Sequence, residues 1–192
     1  MLSTSANSLS LNMAGSGIQS DSQQVRKFLQ FQLGKTEKTH KSTVGGDIAL
    51  LDAEIVTEVI AISPQDILPV PQMFYCVLGI YGWRSEMLWI VDLENLLGYP
   101  PPLGENNITQ ELLVMVIQVQ GQSIGLVVSG IDTLIEHNLS KFKSSSSEIF
   151  SEDILPFLHG YFTSLENDII MLIDGEEIFN FFSIKTEFNY SQ

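Results

Sequence analysis

The chain contains nearly the same segment twice, and this internal repeat constrains the fold more than any other feature of the sequence. Residues 77–98 read VLGIYGWRSEMLWIVDLENLLG, and residues 156–182 read PFLHGYFTSLENDIIMLIDGEEIFNFF. Gly79 corresponds to Gly160 and Asp92 to Asp174, each roughly 80 residues later. Two copies of such a segment predict two similar structural units. The positions at which the copies differ are therefore the first place to look for function.

Weaker matches extend the repeat toward the N-terminus. Residues 31–33 resemble 117–119, residues 48–50 resemble 124–126, and residues 56–60 resemble 131–135. Each half of the chain then offers about five short strands separated by turns. Strands of this length and spacing predict a pair of small β-barrels whose interiors are filled by side chains rather than by a ligand.

Local patterns place the individual elements. Apolar runs predict strands over residues 25–34, 47–51, 55–62, 87–91, 131–135 and 169–173, and a hairpin of 112–119 with 123–128 that turns at Gln120-Gly121. Asp92 can cap a short helix through Leu97, and Gly98 can end it. These elements predict an all-β fold with few short helices.

The same reading divides the chain into regions. We expect a disordered leader over residues 1–24, because this segment is rich in Ser, Asn and Gln and has little to bury. The first barrel is expected at about 25–105 and the second at about 111–185, followed by a C-terminal tail at 186–192. The polar stretches 35–46 and 140–153 are expected to be loops.

Composition argues against several classes of function. The formal net charge is −14, from 23 acidic and 9 basic residues, which argues against nucleic acid and against an anionic membrane surface as partners. The single cysteine, Cys76, excludes an intramolecular disulfide and a cysteine-based metal cluster. The N-terminus lacks the pattern of a signal peptide, and no apolar run approaches the ~20 residues that span a bilayer. We expect a cytoplasmic protein without direct membrane insertion.

Catalytic and cofactor motifs give little support for an enzyme. The histidines His40, His137 and His159 show no metal-ligand spacing, and no phosphate-binding glycine motif or nucleophile elbow occurs. Asp92 and Asp174 are open to two interpretations. They could form an acid–base pair, or each could cap the helical turn that follows its strand. Capping is favoured, and we expect no cofactor and no metal.

Arg84 is the most informative difference between the two copies. It is the only Lys or Arg between positions 42 and 140, and the second copy has Leu165 at the matching position. Trp83 precedes it, and Trp and Arg are both enriched at interface hot spots. The alternative is a local ion pair with Glu86, which contributes little if it is exposed. The pattern favours a binding role for Arg84.

The residues around this position resemble the CheW-like family of chemotaxis coupling proteins. The matching pieces are Pro69-Val70-Pro71, Val77-Leu78-Gly79-Ile80, Arg84, Trp89-Ile90-Val91-Asp92-Leu93 and Leu97-Gly98, with Ile124-Gly125-Leu126-Val127-Val128 and Ile173-Asp174 in the second half. The resemblance covers about residues 25–185. The sequence departs from the family at one turn, because Gly82-Trp83-Arg84-Ser85 stands where the family has Asn-Leu-Arg-Gly.

The resemblance implies two packed five-stranded SH3-like β-barrels and no enzymatic activity. It implies an adaptor that couples the cytoplasmic tip of a methyl-accepting receptor to the regulatory domain of a CheA-type histidine kinase, in chemotaxis, phototaxis or pilus-based motility. Arg84 matches the family's partner-contacting arginine. Val56 and Glu58 match the strand that lines the receptor-binding groove, and Trp83 is expected to join them.

Two other functions stay open at this point. One is a small acidic β-barrel enzyme that uses Asp92 and Asp174 together, which requires both carboxylates to converge on one pocket. The other is a scaffold that associates with itself through exposed strand edges.

Overall fold

The structure is a computed structural model that describes residues 25–34, 46–99 and 111–189, with side chains described up to residue 182. The predicted leader of residues 1–24 lies outside the described residues, as do most of loop 35–46 and residues 100–110. The described residues form ten strands and two α-helices. In chain order they are β1 (Val25–Leu33), β2 (Asp47–Asp52), β3 (Val56–Ile62), β4 (Val77–Trp83), β5 (Glu86–Asp92), α1 (Leu93–Leu96), β6 (Leu112–Val119), β7 (Gln122–Val128), β8 (Gly130–Asn138), β9 (Leu158–Thr163), β10 (Ile169–Ile173) and α2 (Gly175–Asn189).

The strands form two five-stranded sheets, which confirms the predicted all-β fold. The first sheet has the order β8-β1-β2-β10-β9, and the second has the order β3-β6-β7-β5-β4. Neighbouring strands are antiparallel except for two parallel pairs, β2 with β10 and β5 with β7. These two parallel pairs each join a strand of one half of the chain to a strand of the other.

The predicted division into a barrel at 25–105 and a barrel at 111–185 is wrong, because each sheet takes strands from both ranges. The first sheet combines β1 and β2 with β8, β9 and β10, and the second combines β3, β4 and β5 with β6 and β7. The repeat itself is preserved. Each strand of the first half has a counterpart five strands later, so that β1 corresponds to β6 and β5 to β10. If every strand is replaced by its counterpart, the order of the first sheet becomes the order of the second.

The glycine of each copy marks the same irregularity in the two sheets. Gly79 on β4 lies opposite Ile90 beside a register shift, and Gly160 on β9 lies opposite Leu172 beside a matching shift. At both places a passing segment forms an isolated bridge, Leu68 with Ile80 in one copy and Lys143 with Tyr161 in the other. In the second sheet, the segment that follows edge strand β3 thereby pairs with β4, which is the edge strand on the other side of the sheet.

The core has three parts, and their arrangement explains the continuous apolar runs. One cluster is built only from the first sheet, one only from the second, and the largest combines residues of both. Strand β10 shows the alternation, because Ile170 and Leu172 belong to the first sheet's own cluster whereas Met171 and Ile173 belong to the shared one. Strands with both faces buried lack the polar alternation of a surface strand.

The ends of several elements also differ from the sequence-based prediction. Helix α2 continues to Asn189, which is four residues into the predicted C-terminal tail of residues 186–192. Strand β8 continues to Asn138, beyond its predicted end at Ile135. The β6–β7 turn lies at Gln120-Gly121 as predicted, and both residues have the positive φ angles of a tight hairpin turn.

Gly79 is expected to be essential for the fold of the second sheet. Its φ is +146°, and an added Cβ would lie 2.2 Å from the carbonyl oxygen of Leu68. We expect Gly79→Ala to lower the free energy of unfolding by about 2–3 kcal/mol in urea denaturation, because the bridging segment must move. Gly82→Ala is the matched control, since an added Cβ at Gly82 meets nothing within 4 Å. Equal stability of the two variants would contradict this account of the glycine.

Candidate interaction site at the β4–β5 hairpin

The tip of the β4–β5 hairpin is a strained two-residue turn. Trp83 pairs with Glu86, so Arg84 and Ser85 form the connection. Their φ angles are +47° and +74°, which is the left-handed region that two-residue hairpin turns require and that Asn and Gly favour. A residue with a side chain costs about 1–2 kcal/mol in this conformation. The turn therefore depends on contacts that offset this cost.

The carboxylate of Glu58 supplies these contacts, and we name the group of Glu58, Trp83 and Arg84 the Glu58 clamp. Arg84 Nη2 donates to Glu58 Oε2 at 2.7 Å, and the indole Nε1 of Trp83 donates to Glu58 Oε1. The guanidinium carbon of Arg84 lies 4.8 Å from the centroid of the Trp83 ring, a cation–π distance. Arg84 pairs with Glu58 rather than with Glu86, so the local ion pair considered from the sequence is not formed.

The Glu58 clamp joins the two edge strands of one sheet. Glu58 lies on β3 and Trp83 ends β4, and these strands stand at opposite ends of the order β3-β6-β7-β5-β4. The Arg84 side chain is 59% exposed and that of Glu58 is 28% exposed. The ion pair alone therefore contributes about 1 kcal/mol or less. The larger consequence is positional, because the clamp holds a largely exposed guanidinium at a fixed place on the surface.

Val56 is the fourth residue that the sequence assigned to this site, and the structure places it differently. It is half-buried and packs against the core cluster shared by the two sheets. A register shift in the β3–β6 ladder lies between Val56 and Glu58. Val56 therefore marks the side of β3 that meets the other sheet, whereas Glu58 marks the side that meets the hairpin.

Among the described residues, none forms such a clamp with the equivalent hairpin of the second copy. Its connection runs from Ser164 to Asp168, and the Ser164 hydroxyl accepts hydrogen bonds from the backbone N–H groups of Glu166 and Asp168. Leu165, the counterpart of Arg84, is fully exposed. The two hairpins thus share a scaffold and differ in the chemistry presented at the tip.

The aspartates that could have formed a catalytic pair are helix caps on separate sheets. Asp92 ends β5 of the second sheet, and its Oδ1 accepts from Asn95 N at 2.9 Å. Asp174 follows β10 of the first sheet, and its Oδ1 accepts from the backbone N–H groups of Glu176 and Glu177 at 3.0 and 3.1 Å. The capping prediction is confirmed, and the hypothesis of an enzyme that uses both carboxylates together is wrong.

Asp92 has an unusual environment that the sequence did not reveal. The pKa of its carboxyl is raised to about 6, mainly by burial and further by the charge of nearby Glu94. Hydrogen bonds from backbone N–H groups lower this pKa but do not cancel the increase. Glu94 is fully buried, and its Oε1 accepts from the backbone N–H of Ser129 at 2.7 Å. These carboxylates tie α1 to its surroundings, and Glu94 links it to the β7–β8 junction.

Within the described ranges, no group of three or more His, Cys, Asp and Glu side chains could hold a metal ion. No helix among these residues has both the length and the apolar composition needed to cross a membrane.

Comparison with known proteins identifies the family. The family model named CheW-like domain matches residues 42–182.

The chain belongs to the CheW-like domain family.

Solved structures agree on the fold. The scaffolding protein TtCheW from Thermoanaerobacter tengcongensis is similar with a TM-score of 0.60 at 18% sequence identity, over 77% of this chain and 88% of that chain. At this identity the similarity concerns the fold alone. No curated protein matches the chain. Family membership assigns this CheW-like protein to the scaffolds and adaptors of chemotaxis signalling.

Ser85 is expected to limit the stability of the hairpin. Because its φ is +74°, Ser85→Gly should relieve the left-handed strain and raise the free energy of unfolding by about 0.5–1 kcal/mol. Ser123→Gly, which lies near the start of β7 and pairs with Gln118, should have the opposite sign, because glycine weakens a regular strand. Urea denaturation of both variants measures this, and a destabilised Ser85→Gly protein would refute the strain assignment.

Asp92 is expected to make stability depend on pH. Because its pKa is raised in the folded protein, its contribution to stability is fully present below about pH 4 and is lost as the pH rises through about 6. Asp92→Asn keeps the cap and removes the charge, so it should be more stable than the natural protein by about 2 kcal/mol at pH 7.5 and equal to it near pH 4.

Thermal unfolding at a series of pH values measures this difference. Asp92→Ala is the control, because it loses both the charge and the cap and should be about 1 kcal/mol less stable than Asp92→Asn at every pH. A stability difference between the natural protein and the Asp92→Asn variant that does not change with pH would contradict the assignment.

Proposed function

We propose that this protein is a non-catalytic adaptor that couples a methyl-accepting receptor to a CheA-type histidine kinase in the cytoplasm. The receptor's helical hairpin binds the surface that contains Glu58, Trp83 and Arg84, with Val56 supporting strand β3 from the core side, and the edge of one sheet pairs with the kinase regulatory domain. The observation that carries the proposal is the Glu58 clamp, which occurs at one of two equivalent hairpins and is absent from the other.

The electrostatics of the clamp support a contact with a partner. Arg84 is the only Lys or Arg between positions 42 and 140 of a chain with a net charge of −14. Its guanidinium has five donors, and one Glu58 oxygen is its hydrogen-bond acceptor among the described residues. The exposed part of the guanidinium can therefore donate to carboxylates or backbone carbonyls of a partner. The half-buried Trp83 ring lies beside the guanidinium, with 4.8 Å between the ring centroid and the guanidinium carbon, and supports it from one side.

The arrangement of the sheets supports a bridging role. The two sheets have separate edge strands, β3 and β4 in one and β8 and β9 in the other, and a passing segment bridges β4 and β9 at one point each. An exposed strand edge can pair with a strand of another protein. Two pseudo-equivalent units with different hairpin tips can engage two different partners at once.

Reversing the charge of Arg84 tests the receptor contact. We expect Arg84→Glu to weaken capture of the purified receptor cytoplasmic tip at least tenfold, measured by pulldown and by a titration. Leu165→Glu is the matched control, because it places the same carboxylate at the equivalent tip of the other hairpin and should leave capture unchanged. The two variants should unfold within a few degrees of the natural protein, since an exposed ion pair contributes little.

A second variant separates partner contact from support of the hairpin. The double variant Glu58→Arg with Arg84→Glu restores an ion pair within the clamp but leaves a carboxylate at the tip. If Arg84 contacts the receptor, the double variant stays as weak as Arg84→Glu. Recovery of binding in the double variant would show that Arg84 acts only by holding the clamp, and would contradict the proposed contact.

A further inference from the structure

A cleft of about 360 Å³ lies on another part of the molecule, between the segment after α1, the segment 149–154 and the start of β10. Its floor is apolar and buried, because Leu97, Ile154 and Met171 are at most 4% exposed. Its rim includes Ile149 and Ile169, which are 44% and 42% exposed. An open cleft with an apolar floor and two exposed isoleucines on its rim leaves apolar surface that a partner's side chain would remove from water.

The walls of the cleft are held by defined contacts. The hydroxyl of Tyr99 donates to Asp47 Oδ2 at 2.6 Å, and burial together with this hydrogen bond raises the pKa of the phenol, so it stays a neutral donor. Phe150 packs edge-on against Tyr161 with 5.6 Å between ring centroids. An added Cβ at Gly98 would lie 3.2 Å from Asp153. The cleft is therefore formed before anything binds.

The charges around the cleft are of one sign. Asp47 lines it, and Glu148, Glu152 and Asp153 are exposed on the segment that forms one wall. No Lys or Arg is among the described residues that line it. Like charge opposes a second copy of this acidic chain and an anionic surface, whereas it attracts a cationic partner.

The size of the cleft limits what can enter it. A volume of about 360 Å³ is near the lower end of the range of small-molecule pockets, roughly 300–1,000 Å³. This is room for one or two bulky apolar side chains. Tyr and Phe walls are common where a partner inserts an apolar anchor.

We propose that this cleft binds a short segment of another protein, which inserts a bulky apolar side chain beside Tyr99 and Phe150 and places Lys or Arg next to the acidic rim. The site is built from other elements than the Glu58 clamp, so it does not depend on the proposed receptor contact. It gives the adaptor a second kind of partner, recognised by cationic residues around an apolar anchor.

A labelled synthetic peptide with one Leu between two Lys-Lys pairs tests the site on the full chain by fluorescence anisotropy. We expect weak binding, with Kd on the order of 100 μM. The affinity should fall, and Kd should rise, as salt is added, because salt screens the attraction between the lysines and the acidic rim. Peptides with Ser in place of Leu, or with Glu in place of Lys, should bind at least tenfold more weakly. Absence of binding by the Leu-Lys peptide, or equal binding by the Ser peptide, would overturn the proposal.

Variants of the protein locate the binding. The double variant Ile149→Ser with Ile169→Ser should bind the Leu-Lys peptide at least fivefold more weakly, because it removes the apolar side chains of the rim. Both positions are exposed, so their replacement leaves the floor of the cleft intact. Leu68→Ser is the matched control, since Leu68 is 60% exposed elsewhere, and it should bind as the natural protein does. Unchanged binding in the rim variant would place the peptide outside the cleft and overturn the proposal.

Two further outcomes would assign the cleft to another occupant. Light scattering that shows a dimer, lost in the Ile149→Ser and Ile169→Ser variant, would assign it to a second copy. Peptide binding that occurs only after Lys35, Lys38 and Lys41 are replaced by Ser would assign it to the chain's own segment. Either result overturns a separate protein partner.

Discussion

The two parallel strand pairs are the constraint on which the rest of the structure depends. Strand β2 pairs with β10, and β7 pairs with β5, so that neither sheet can be completed from one half of the chain. The largest core cluster lies where the two sheets meet and contains residues of both. Each fully buried Leu or Ile there contributes about 1.5–3 kcal/mol. The halves of the chain are therefore expected to unfold together, although the sequence repeats.

The exchange of strands also fixes where the two copies can differ without loss of stability. The glycine step lies inside the ladder and the capping aspartate lies at the end of the strand, and both are kept in the two copies. The hairpin tips lie outside the core, and there the first copy has the Glu58 clamp whereas the second has the exposed Leu165. A strained turn at Arg84-Ser85 persists because Glu58 holds it from the opposite edge of the sheet. This combination of strain and fixed charge is typical of a recognition surface.

Much of the fold and part of the candidate site could be predicted from the sequence, because these features depend on local patterns of residues. The strand positions follow from apolar runs bounded by turn residues, and the β10 bounds, Ile169–Ile173, were predicted without error. The role of Asp92 as a cap follows from its place between a strand and a helical turn. The division into barrels failed because strand length and spacing do not reveal which strands pair. An ion pair with Glu86, two residues away, was the alternative considered for Arg84, whereas the structure pairs Arg84 with Glu58 on the opposite edge strand of the sheet.

The sequence by itself determined the element order, the repeat, the two capping aspartates and the isolation of Arg84 among acidic and neutral residues, because each is a matter of residue type and short-range spacing. Only the tertiary structure decided that the halves exchange strands, that Val56 faces the shared core, and that Glu58 joins the edge strands. It also decided the cleft beside Tyr99, whose walls come from segments far apart in the chain. These are long-range contacts, which depend on chain path and burial rather than on neighbours in sequence.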